Sequence, residues 1–138
     1  MEAIDEKVRV EVYRAFLADG RPPVPAEIGI AIGADQQTVE GSLRRLADDH
    51  LLVLAPGTPY VWMANPLSAI PTPFAVEADG RRYFGNCVWD ALGVLAMVGV
   101  AGTVRTWCPC CGERLAVEVC DDRLVDGEGV VHFERPAA

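Results

Sequence analysis

Cys87 and Asp90 stand three residues apart in "FGNCVWDALG" (84–93), at the mouth of one of the most apolar segments of the chain. A cysteine in such a place is ordinarily a small buried hydrophobe, but an aspartate one helical turn away has no packing task there. The pair suits reactive chemistry instead: a thiolate is a soft nucleophile and metal ligand, and a neighbouring carboxyl group can carry a proton. A second cluster, "WCPCCGERL" (107–115), gathers Cys108, Cys110 and Cys111 at a tight Pro/Gly turn. Its Cys108-Pro109-Cys110-Cys111 run contains a CxxC pair, the knuckle pattern that presents thiolates to a soft metal. Three readings of the turn stay open: structural zinc, a soft-metal or redox-active thiol turn, and a turn with incidental cysteines. Structural zinc needs four ligands, and outside the turn only Cys87, Cys120, His50 and His132 are available. Cys120, isolated, reads as core filling, and His132 as a strand residue.

Composition limits what these residues can serve. With 138 residues and 51% hydrophobic content the chain can bury a core, as one domain or two small packed subdomains. Twenty acids against twelve bases give a net charge of −8, shared evenly between residues 1–70 and 71–138. Such a surface repels phosphate backbones, so nucleic acid is not an expected partner. "MEAIDEKVRVEVYRAF" lacks the basic start and apolar run of a signal peptide. The longest apolar stretch, "ALGVLAMVGVAG" (91–102), is shorter than the roughly twenty residues a membrane span needs. A cytoplasmic protein with no membrane association is expected. Five cysteines, an odd number, then read as thiols for metal or catalysis rather than as a disulfide framework.

The elements that must position the thiols follow from periodicity. "EKVRVEVYRAFLADG" repeats Val8, Val12, Ala15 and Phe16 at helical spacing and closes at Gly20. A short helix over 24–33 follows, then a third over 35–50, capped by Asp35 and burying Val39, Leu43 and Leu46. "LLVLAPGTPYVWMA" alternates around a Pro/Gly turn, which predicts a hairpin. Residues 1–64 therefore read as a winged-helix-like helical subdomain. Arg44 and Arg45 on its third helix are offset by Glu40, Asp48 and Asp49, which favours a unit that packs on the second half over one that reads DNA.

"NPLSAIPTPF" (65–74), with three prolines, reads as a linker. Beyond it, "FAVEADGRRYF" predicts a hairpin about Asp79-Gly80, leading to Asn86 as a helix cap and Cys87 in the first turn. There the free amides and the dipole would stabilise a thiolate, with Asp90 on the same face. Gly99 and Gly102 close that helix. "TVRTW" and "RLAVEVC" read as strands flanking the cysteine turn, and "RLVDGEGVVHF" as a hairpin about Asp126-Gly127. Residues 75–138 thus form a small, mainly antiparallel sheet with one buried helix, and the class is α+β.

In order and spacing, "NPLSAIPTPF", "RRYFGNCVWDALG" and "CPCCGERLAVEV" resemble the organomercurial (alkylmercury) lyases, as does the winged-helix-like start. The resemblance implies protonolysis of carbon–mercury bonds, with Cys87 and Asp90 matching the family's catalytic pair. Cys87 would capture R–Hg⁺, a second thiolate would raise the basicity of the carbon, and Asp90 would take a proton from a thiol and deliver it to carbon. Cys108 matches a family cysteine on a strand–turn–strand, and Cys87, Cys108, Cys110 and Cys111 are the expected mercury ligands. No cofactor is implied: mercury enters as substrate and leaves as product, zinc is an option at the turn, and low-molecular thiols are expected partners. The family's second essential thiol lies downstream of the stretch resembling "GEGVVHFERPAA", beyond Ala138. The alternative is a thiol-based protein that binds or senses a soft metal (mercury, zinc or copper) without cleaving anything.

Overall fold

The computed structural model describes residues 2–131. α1 (Ala3–Asp19) buries the expected stripe of Val8, Val12, Ala15 and Phe16. It stops at Gly20, whose φ of 72° turns its amide back onto the Phe16 carbonyl. α2 (Pro25–Ile32) opens with proline at its first position, where a missing N–H costs nothing. α3 (Gln36–Asp48) is capped by Asp35, whose carboxylate accepts the Thr38 amide at 2.9 Å.

Buried Asp5 clamps α1 to α3. Its carboxylate accepts the Ser42 hydroxyl at 2.6 Å and the Arg45 guanidinium at 2.6 Å. The Arg45 hydrogen bond, against the cost of burial and with help from Ser42 and the Glu2 amide, holds the Asp5 pKa down at about 2.

Two antiparallel sheets follow. β1 (Val53–Leu54), β2 (Val61–Ala64) and β3 (Leu67–Ser68) pair in that order. β3 lies within the 65–74 segment, so this stretch carries a strand between its prolines. The larger sheet runs β5-β4-β6-β7-β8, from β4 (Ala75–Ala78), β5 (Arg81–Phe84), β6 (Gly102–Trp107), β7 (Arg114–Cys120) and β8 (Arg123–Asp126). α4 (Val88–Val98) packs over β4 and β6 through buried Ala91, Val94 and Leu95. The architecture is α+β, as the patterning predicts.

One hydrophobic core crosses both halves, joining Val8, Phe16 and Leu43 to Val76, Val94 and Val104. Buried Tyr83 of β5 reinforces the junction by donating its hydroxyl to the Leu17 carbonyl of α1 at 2.6 Å.

The last hairpin departs from expectation: β8, expected to pair forward about Asp126-Gly127, pairs back with β7 through a turn at Asp121-Asp122, with φ of 50° and 56°. Aspartate tolerates the left-handed region that a two-residue hairpin demands, so the chain reverses directly after Cys120. Residues 127–131 belong to no strand, and His132 lies outside the described residues.

Candidate active site

β5 hands the chain to α4 through Gly85, Asn86 and Cys87. Gly85 is pinned on two sides: it bridges Leu67 of β3, and its amide donates to the Phe74 carbonyl at 3.0 Å. The Thr72 hydroxyl donates to the Gly85 carbonyl. A Cβ at residue 85 would lie 2.5 Å from the Ala91 nitrogen and 2.9 Å from its Cα, so the first turn of α4 rests directly on this backbone. Sequence reasoning passed over Gly85; its one signal was a glycine between a strand and a helix start.

Cys87 is the N-cap of α4, extended at φ −148° and ψ 178°, so the helix starts one residue later than an Asn86 cap would place it. Its Sγ accepts the Asp90 amide at 3.4 Å, so the thiol takes the capping task assigned to Asn86. Asn86 instead donates Nδ2 to the Asn65 Oδ1 at 3.1 Å, while its own Oδ1 is buried without a partner. The Asn65 carbonyl accepts the Tyr13 hydroxyl at 2.9 Å. The start of α4 is thereby tied through Asn65 to α1. Cys87 and Asp90 are both half-buried, and Trp89 between them is exposed.

The cysteine turn caps the β6–β7 hairpin beyond its last pair, Trp107 with Arg114. The Cys108 amide donates to the Glu113 carbonyl at 2.8 Å, and the Gly112 amide to the Cys108 carbonyl at 2.8 Å. Gly112, at φ 73°, lets the chain close. Cys108 is half-buried, while Cys110 and Cys111 are exposed. The amides of Cys111 and Cys110, then the Cys111 thiol, hold the Cys108 pKa below that of an ordinary thiol.

Sheet order brings the two clusters to one end of the fold. Phe84 of β5 and Arg105 of β6 both oppose Ala75 of β4, so both strands leave the sheet on the same side. Cys87 and Cys108 each follow three residues later. With β4 between them, however, their strands lie two spacings apart, on the order of 10 Å. Among the described residues, no three His, Cys, Asp or Glu side chains come together as a group able to hold a metal ion. The four cysteines expected as ligands therefore do not form one centre, and no tetrahedral zinc site is assembled at the turn. His50 is engaged elsewhere, its Nδ1 lying 2.9 Å from the Asp48 carbonyl oxygen.

The alkylmercury lyase family model, MerB, matches residues 67–138, which include Cys87, Asp90 and the whole cysteine turn. The chain belongs to the alkylmercury lyase family. Its fold is that of a solved relative, the mercury-bound form of MerB2, with a TM-score of 0.71 at 20% sequence identity. The superposition covers 88% of this chain and 60% of that one, so this family member spans less than two thirds of the length of MerB2. No curated protein matches the sequence. No helix among the described residues is long and apolar enough to cross a membrane.

Proposed function

We propose that this alkylmercury lyase family member cleaves carbon–mercury bonds by protonolysis, with Cys87 as the capturing thiolate and Asp90 as the proton carrier. The observation that carries the reading is the cap geometry. The Cys87 sulfur occupies the N-cap of α4 and accepts the Asp90 amide at 3.4 Å, which fixes the thiol against the first turn that carries Asp90. Asp90 stands in the first turn of the same helix, the acidic residue there that can carry a proton to a mercury-bound carbon.

In the proposed sequence, the Cys87 thiolate displaces a ligand from R–Hg⁺. A second thiolate then adds to mercury and raises the electron density on carbon. That thiolate comes from a low-molecular thiol in solution, since among the described residues the turn cysteines do not share a centre with Cys87. The proton released by the incoming thiol passes to Asp90 and from Asp90 to carbon, so R–H departs and Hg²⁺ stays on sulfur. No oxidation state changes, and the chemistry calls for no cofactor.

The test is an Asp90→Ala comparison. Hydrocarbon evolved from phenyl- or methylmercury with excess thiol is measured beside the mercury bound in the same sample. Capture needs thiolate and cleavage needs acid, so the variant should hold the organomercurial while losing at least about 100-fold in hydrocarbon release. A parent chain that holds mercury but releases no hydrocarbon would identify a thiol-based metal binder instead. Equal release from Asp90→Ala and parent would remove Asp90 from the mechanism.

A further inference from the structure

The lyase reading leaves the cysteine turn unused, yet the turn has the properties of a site in its own right. Its CxxC ends, Cys108 and Cys111, are separated by Pro109 and Cys110 within a loop closed by the two 2.8 Å backbone bonds of Cys108. The Gly112 amide, folded back on the Cys108 carbonyl, puts residues 108 and 111 on a single turn of chain, and the amides of Cys111 and Cys110 with the Cys111 thiol hold the Cys108 pKa below that of an ordinary thiol. Cys111 is open to solvent and Cys108 half-open, so an ion can reach both without any element moving.

We propose that Cys108 and Cys111 form a self-contained dithiol site for a two-coordinate soft cation of the Hg²⁺ or Cu⁺ type. The ligand count selects the class of ion. Among the described residues, no third His, Cys, Asp or Glu joins the pair, which disfavours metals that demand four ligands. A soft d¹⁰ ion needs only two thiolates, roughly opposed. Loading is ligand exchange without redox: Hg(SR)₂ and two protein thiols give the protein-bound ion and two RSH. The site stands without the lyase reading; only its supply rests on that reading. The Hg²⁺ left on Cys87 after cleavage would have this pair at the same end of the sheet to move to.

Chelation distinguishes such a site from a single reactive cysteine, because the second sulfur binds at an effective concentration in the millimolar range and can raise retention by about 10²–10⁴-fold. The experiment uses the full chain carrying Cys87→Ser, loaded with equimolar Hg²⁺ and passed through gel filtration in about 1 mM monothiol, a concentration chosen to compete with that effective molarity. One Hg²⁺ per chain should be retained, with the near-ultraviolet thiolate–mercury band. Adding Cys108→Ser or Cys111→Ser should weaken retention by about 100-fold, whereas adding Cys110→Ser or Cys120→Ser should leave it. Far-ultraviolet circular dichroism confirms that each variant is folded. Loss of mercury from Cys87→Ser itself, retention that survives removal of Cys111, or dependence on Cys110 in its place would each overturn the proposal. Hydrocarbon release is not read in this assay, so its outcome is separate from that of the lyase reading.

Discussion

Replacing Gly85 with alanine tests whether the contact beneath α4 positions Cys87 and Asp90, the proposed reactive pair. The new methyl carbon would lie 2.5 Å from the Ala91 nitrogen, 2.9 Å from the Ala91 Cα and 3.0 Å from the Asp90 carbonyl carbon. Ordinary carbon–nitrogen or carbon–carbon contact begins near ~3.5 Å, so something must yield by about 0.5–1 Å. All three obstructing atoms are backbone, and Gly85 is itself held by Leu67 and Phe74. Relief therefore requires α4 to move away from the sheet, carrying Cys87 and Asp90 with it. Overpacking of this kind costs about 1–3 kcal/mol. For a chain of this size that corresponds to a fall in Tm of about 3–12 °C. A displacement near 1 Å can also cost about 100-fold in turnover. Gly93→Ala on the same helix is the control: its added carbon would meet only Pro66 side-chain atoms at 3.4 Å, and alanine favours the helix. The assays are thermal unfolding and the rate at which limiting iodoacetamide labels Cys87. If Gly85→Ala melts with the parent and labels Cys87 at the parental rate, the contact does not position the pair and the reasoning fails.

The Asp5 clamp should give stability a marked acid dependence. A carboxylate whose folded pKa is depressed from 3.8 to about 2 contributes fully above the unfolded value and loses its contribution as pH falls through the folded one. Allowing for screening around the half-exposed Arg45, the contribution is about 1–2 kcal/mol. Asp5→Asn should lower the neutral-pH urea midpoint accordingly and flatten the loss between about pH 4 and pH 2; an unchanged acid limb would rule out the clamp as its source. The N-terminal unit should not bind duplex DNA, because Arg44 is paired with Glu40 at 3.1 Å and Arg45 with Asp5 at 2.6 Å and Glu2 at 3.3 Å. A mobility-shift assay at low and moderate salt checks this, and tight, salt-sensitive binding would count against it.

Much of the fold was legible in local pattern because its signals are local. The stripe from Val8 to Phe16, the Asp35 cap, the Gly20 stop and the Asp79-Gly80 turn each act within a few residues, and each appears where its chemistry requires. Cys87 and Asp90 were visible for the same reason, since their spacing is that of one helical turn. The order β5-β4-β6 was not, because β4 pairs with β6 across α4, and no short window records that pairing. That pairing alone puts the Cys87 cap and the Cys108 turn at one end of the sheet, and it also keeps them from merging into one metal centre. Cys87 displaced Asn86 as cap because Asn86 is drawn to Asn65, a partner 21 positions away. Gly85 matters only because α4 descends onto it. Sequence therefore determined which residues could react, and tertiary packing decided which of them meet, since proximity between distant segments depends on the closure of the whole sheet and core.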